Sequence, residues 1–266
     1  MSTELSDVDI QEAIALLSGE RLAALKRITG TDRGSYELHQ QMLYVAAALM
    51  PVTGLVEIAL RNAACDRLSE IFGVTDWLNS PPLPFKWRGE EMKSLKRAIR
   101  QGQRAEYAKK SQIEKKILDA TAYPLGVPPN TTHEKRASAR QKAISIDNGQ
   151  QISQLTIYFW KRLFSKDYET TLWVRGLRRV FPNKNLNRPD ISIQLEVIYQ
   201  ARNRIAHHEP LYGQRLESTL EALDFVAQNL NEPKPSPNTT LCKMIGYQRK
   251  VLQSEADTLS RMLSAY

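Results

Sequence analysis

Cysteine is nearly missing from this sequence: Cys65 and Cys242 are the only two in 266 residues. They lie far apart, in no metal or redox spacing, and each is expected as a small buried hydrophobe. Long apolar runs are missing as well. The longest, "LYVAAALMPV", is too short to span a bilayer and contains Pro51. The N-terminal "MSTELSDVDIQEAIALLSGE" is acidic and has no basic stretch ahead of an apolar core, so no signal peptide is expected. There is no Gly-rich phosphate loop, no Gly-x-Ser-x-Gly elbow and no internal repeat. These absences set the expectation of a cytoplasmic chain with no membrane partner.

What is present is ordinary globular composition, 42% apolar and 25% charged, in a chain long enough for a sizeable core. The net charge of +8 is less ordinary once located. Residues 86–142 hold 15 Lys and Arg against 6 Asp and Glu, while the remainder holds 22 against 23. A basic segment of this kind suits a polyanion such as nucleic acid, and it is equally what a solvated helix face looks like.

The periodicity predicts helix almost throughout. An amphipathic helix is expected over 8–28, with Ile10, Ile14, Leu17 and Leu25 on or near one face. Helices over 35–50 and 54–72 are expected to be separated by the breaker "PVTG", with Glu57 and Arg61 paired four apart in the second. A basic helix over 88–119 follows, then a polar loop over 123–141. Residues 148–164 are rich in β-branched and aromatic side chains. Their apolar positions (Ile152, Leu155, Phe159, Leu163) nevertheless fit a helical face better than an alternating strand. Further helices are expected over 169–181, from an Asp190 N-cap, over 214–230, and over 241–264 as a weakly anchored terminal helix. The expected organisation is one domain over 1–230 with an insertion at 80–148, a Pro-rich linker at 231–240 and a C-terminal helix at 241–266.

The helix beginning near Asp190 carries the unusual chemistry. At about 100° per residue, Ile191, Leu195, Ile198 and Ile205 fall within about an 80° arc, and Arg202 lies in the middle of that stripe. A guanidinium on a core seam is costly without a partner or a task. Asn203 and His207 share the opposite, polar face with Glu196 and Gln200, which sets His207 about 140° from Arg202. Pro210 ends the helix near His207–Glu209, where a histidine meets the negative end of the helix dipole.

Arginine beside a histidine is the minimum equipment for cleaving RNA without a metal. An imidazole exchanges protons near neutrality, accepting from a 2′-hydroxyl or donating to a 5′ oxygen, while arginine stabilises the phosphorane. The same residues are also what a capped helix end produces, with a histidine beside an ion-paired Glu209. A metal site fits poorly, because His207, His208 and Glu209 are consecutive and their side chains diverge. His39 and His133 stand in no ligand spacing.

The motif and two further blocks resemble a known family. "RNRIAHHEPLY" is similar to the signature of the Abi-like, abortive-infection proteins of the HEPN superfamily: Arg202, Asn203, three variable positions, then His207. "GLVEIALRNAACDRLSEIFGVTDWL" resembles that family's Glu-x-x-x-Arg-Asn helix. "YFWKRLFSKDYETTLWVRGLRRVFPN" resembles its Phe-Trp … Leu-Trp … Phe-Pro-Asn block. The likeness covers roughly 54–79 and 148–230.

The resemblance implies an all-α, HEPN-type helical bundle with a basic helical insertion. It implies a homodimer in which two motifs share one cleft, and RNA cleavage that needs no metal or cofactor and leaves a 2′,3′-cyclic phosphate. Arg202 would bind phosphate, Asn203 would orient it and His207 would be the acid/base, with His208 supporting. Glu57 and Arg61 would either hold Arg202 or form a plain intrahelical salt bridge. Outside the likeness, charge alone makes Lys93, Lys96, Arg97, Arg100 and Arg104 the candidate RNA contacts, with Tyr107 and Tyr123 as isolated stacking surfaces. An antitoxin or a phage-derived trigger is a further expected partner. The competing expectation is a non-catalytic dimerisation module that binds RNA or protein.

Overall fold

The computed structural model describes residues 5–266 and is all-α: eleven α-helices with three short 3₁₀ or π turns, and no strand among the described residues. The chain divides into two compact units. One comprises Met1–Ala64 and Arg178–Tyr266, and the other comprises Cys65–Leu177.

The first unit contains α1 (Asp7–Leu17), α2 (Gly19–Thr29), most of α3 (Asp32–Phe72), α9 (Arg188–Ala206), α10 (Gln214–Asn229) and α11 (Thr240–Ser264). Residues 8–28 are two helices rather than one. Ser18 takes φ 73°, outside the right-handed helical region, and so closes α1 just before α2 begins at Gly19. Pro51 has the opposite outcome. The expected break at "PVTG" does not occur, and α3 runs unbroken for 41 residues. An interior proline costs about 3 kcal/mol. Here Leu49, Val52, Val56 and Leu60 are wholly buried on either side of it, and burial stabilises by roughly 1.5–3 kcal/mol per such side chain. The Thr53 hydroxyl reinforces the turn by donating towards the Leu49 and Met50 carbonyls, at 3.0 Å each.

Continuity across Pro51 also makes α3 long and apolar enough to cross a membrane by length and composition alone. An 18-residue window has mean hydropathy 1.9, with 33% of it buried. The rest of the first core comes from Ile191, Leu195 and Ile198 of α9, Leu223 and Val226 of α10, and Leu252 and Leu259 of α11. The terminal helix is therefore firmly anchored, contrary to expectation. Thr239 caps it through the Cys242 N–H, and Arg249 makes a two-pronged pair with Asp224 at 2.9 Å per prong.

The second unit holds the end of α3 together with α4 (Gly89–Lys109), α5 (Gln112–Ala122), α6 (His133–Lys142), α7 (Asn148–Ser153) and α8 (Ile157–Arg162). Its core is aromatic, with Phe72, Trp77, Phe85, Trp87, Phe159 and Tyr168 meeting stacked, edge-on or tilted at centroid distances of 4.9–6.3 Å. Glu91 is buried among them and ion-paired, accepting from Arg162 Nε at 2.8 Å and from the Tyr168 hydroxyl at 2.7 Å.

Several expected boundaries shift in this unit. The basic helix stops at Lys109, because Ser111 and Glu114 form a capping box that starts α5. The expected loop over 123–141 contains α6, which is tied to α5 by Arg136 and Arg140 gripping Asp119. Both arginines hold the Asp119 carboxyl far below the ordinary carboxylate range, by hydrogen bonding first and charge second. Residues 148–164 are helical as expected but divided between α7 and α8, and 169–181 form a π turn followed by a 3₁₀ turn rather than one helix.

Candidate functional site

Helix α9 starts one turn earlier than Asp190. Asn187 is its N-cap and Asp190 is the third helical residue, the two closing a capping box with Pro189 in the first turn. Its buried stripe is Ile191, Leu195, Ile198, Ala201 and Ile205. Ala201 widens the stripe on the side away from Arg202, which is half-buried.

The C-terminus has a defined geometry. His207 is the cap residue, at φ −99° and ψ 10°. His208 follows in the left-handed region at φ 54°. The Glu209 N–H then donates to the Arg204 carbonyl at 2.8 Å and the His208 N–H to the Ile205 carbonyl at 3.0 Å. These two bonds are the Schellman pattern, with histidine where glycine is usual. Arg204 fastens the turn from the side. Its Nε and Nη2 donate to the Pro210 carbonyl at 3.2 and 3.0 Å, and its Nη1 lies 3.0 Å from Glu209 Oε2. Arg204, one of the variable positions of the motif, is thus the structural arginine, and Glu209 pairs with it rather than with a histidine.

The three motif side chains remain uncommitted. Arg202 and Asn203 are half-buried and His207 is exposed, and none of their side chains makes a hydrogen bond or ion pair among the described residues. Since α9 is helical up to the cap, Arg202 and His207 leave it about 140° apart and do not converge within one chain. Glu57 and Arg61 are half-buried on α3. Arg61 Nε donates to Asn62 Oδ1 at 3.3 Å, and no hydrogen bond or ion pair links Arg61 to Arg202.

Sequence reasoning passed over two residues. His39 is buried on α3, with Nδ1 enclosed and without a partner among the described residues. Burial, and then the nearby charge of Arg21, hold its imidazole below the ordinary value. Arg21, exposed on α2, donates through Nη1 to the His208 carbonyl at 3.1 Å. Between α3 and the end of α9 lies a cavity of about 320 Å³ that His39, His208 and Glu209 line together with apolar side chains. The signal for His39 was the helical spacing of Leu38, Met42 and Val45, which puts an imidazole beside a buried apolar stripe.

In the second unit, Lys93, Lys96, Arg97, Arg100 and Arg104 are all exposed on α4. Four of them, at 93, 97, 100 and 104, fall within about a 60° arc and extend over about 16 Å of helix. Lys93 pairs with Glu90 at 2.8 Å, whereas Lys96, Arg97, Arg100 and Arg104 have no ion pair among the described residues. Tyr107 lies under the Lys115 ammonium at 5.0 Å from the ring centroid, and the Tyr123 hydroxyl faces the Lys135 carbonyl at 3.5 Å.

No group of three or more His, Cys, Asp or Glu among the described residues is placed to hold a metal ion. In comparisons with known proteins, the chain matches no family model, no curated protein and no solved structure.

Proposed function

We propose that this chain is a metal-independent endoribonuclease of the phage-defence or toxin kind, in line with its resemblance to Abi-like HEPN proteins. One observation carries the reading. A solvent-facing helix end presents an arginine, an asparagine and a histidine that the fold does not use, beside a different arginine that does the structural work. In the proposed reaction His207 takes the proton of a 2′-hydroxyl, and that oxygen attacks the adjacent phosphorus. The bond to the 5′ oxygen breaks and the leaving oxygen takes a proton from a histidine imidazolium, so that the proton taken is returned, giving a 2′,3′-cyclic phosphate and a 5′-hydroxyl. Arg202 stabilises the added charge on the phosphorane, and Asn203 orients the phosphate. The angular separation of Arg202 and His207 supports a homodimer in which one chain's His207 works opposite its partner's Arg202. His208 serves by setting the backbone turn, and an antitoxin or phage-derived trigger is the proposed control.

The second reading is a non-catalytic module that binds RNA through α4. The unpaired cations on one face of that helix favour it, and the resulting binding is salt-sensitive whether or not cleavage follows. The test is RNA cleavage in EDTA by wild type, Arg202→Ala and His207→Ala, with product ends identified. Cyclic-phosphate ends from wild type alone support the nuclease. Intact RNA that stays bound to folded wild-type protein supports the binding module.

A further inference from the structure

The cavity beside the motif has the make-up of a ligand site: concave, mostly apolar, with a few polar groups gathered at one end. Met42, Ala46, Met50 and Ile205 supply soft, flat walls, and His39, His208 and Glu209 supply the polar groups. His39 decides what kind of occupant fits. His39 is 5% exposed and neither ring nitrogen has a hydrogen-bond partner among the described residues; Nδ1 is sealed from solvent, so Nε2 is the nitrogen left for an occupant. An aliphatic side chain entering the cavity leaves that imidazole unpaired, whereas the edge of a heteroaromatic ring satisfies it.

The surroundings add a phosphate. Ala206, in the cavity wall, lies four residues after Arg202, so the β-carbons of the two are about 6 Å apart on the same helix face. Arg21 stands at the rim, where it holds the His208 carbonyl. Glu209 completes the selection. Oε2 is engaged by Arg204 at 3.0 Å, which leaves Oε1 to accept a hydrogen bond from the ligand.

We propose that this cavity seats one unpaired nucleobase of a single-stranded RNA, a base with an exocyclic amine, and thereby presents the neighbouring phosphate to Arg202. The assignment rests on the motif acting on RNA. Adenine and cytosine each donate from an amine to Glu209 and pair through a ring nitrogen with an imidazole; uracil has no amine. A base in a duplex has its edge and both faces occupied and cannot enter, so the site selects single strands.

The test measures fluorescence-anisotropy binding of oligo(A), oligo(C) and oligo(U) hexamers and an RNA duplex to full-length His207→Ala protein in EDTA. The same set is measured on the double variant that adds Ala47→Phe, a substitution at an exposed position lining the cavity. The expected result is oligo(A) and oligo(C) binding about ten-fold tighter than oligo(U), the size of one charge-assisted hydrogen bond. That preference is lost in the Ala47→Phe protein while its circular dichroism and melting are kept. Discrimination unchanged by Ala47→Phe, or no discrimination in the parent, overturns the proposal. A shift from dimer to monomer in light scattering with base preference intact assigns the cavity to a side chain of a second copy, and also overturns it. Cleavage by the wild type, assayed separately, keeps the two readings apart. Cleavage that Ala47→Phe does not alter sinks the base site alone, and base-selective binding without cleavage sinks the nuclease alone.

Discussion

The Glu209 N–H reaches back 2.8 Å to the Arg204 carbonyl, and this bond closes the motif helix with His208 held at φ 54° between them. A β-carbon in that conformation costs about 1–2 kcal/mol, and glycine avoids it. His208→Gly is therefore expected to stabilise the protein by about 0.5–1 kcal/mol, once glycine's greater freedom in the unfolded chain is subtracted. A higher urea midpoint with an unchanged slope is the expected result. A lower midpoint shows that the imidazole contributes contacts that outweigh the backbone strain.

Arg204 and Arg202 differ by two positions and are expected to fail differently. Arg204→Ala removes both bonds to the Pro210 carbonyl and the pair with Glu209, so it loosens the turn that positions His207. It is expected to cost about 1–2 kcal/mol of stability along with activity. Arg202→Ala removes no hydrogen bond or ion pair among the described residues and is expected to leave stability within about 0.5 kcal/mol while abolishing cleavage. Equal melting losses in the two variants contradict this division of labour.

His39 gives the stability a pH dependence of known sign. Burial lowers its folded-state value below the ordinary one, so between those two values the unfolded chain binds the extra proton and the folded chain does not. Stability is complete above the ordinary histidine value of about 6.5 and declines as the pH falls towards the folded value. Melting temperatures measured from pH 8 to pH 5 should fall for the wild type and fall less for His39→Leu. Parallel curves contradict the assignment.

The second unit can be followed alone, because all four tryptophans, at 77, 87, 160 and 173, lie in it. Glu91→Ala takes the buried carboxylate from the Tyr168 hydroxyl and from Arg162, which keeps its pair with Asp167, a loss of roughly 1–3 kcal/mol. Tryptophan fluorescence should report unfolding of this unit at much lower urea. A midpoint close to the wild-type one shows that the cluster is held by its aromatic rings alone.

Helix α4 is expected to set the salt dependence of RNA binding. Arg97→Ala with Arg100→Ala should lower the slope of log affinity against log salt by about 1.4, at about 0.7 per single-strand phosphate contact. An unaltered slope removes α4 from the RNA interface.

The helical class was legible in the sequence because apolar spacing reports burial directly, as in the wholly buried Ile191, Leu195 and Ile198. Boundaries were less legible where tertiary packing outweighed local signals. Pro51 marks a break by local rules, yet Leu49, Val52, Val56 and Leu60 hold the helix together through it. The reverse occurs at Ser18, where positive φ divides a pattern that reads as continuous. Arg202, Asn203 and His207 were legible as a motif, whereas the separate duty of Arg204 depends on how the chain turns at His208, which periodicity does not encode. His39 was hidden for the same reason: its importance lies in a cavity made with residues more than 160 positions away.

The most direct test of the account is RNA cleavage in EDTA by purified wild type beside Arg202→Ala and His207→Ala, each verified as folded, with the 3′ ends of the products identified. The account predicts 2′,3′-cyclic phosphate ends from the wild type and intact RNA from both variants. Cleavage that persists in the variants, or that leaves ordinary 3′-hydroxyl ends, contradicts it.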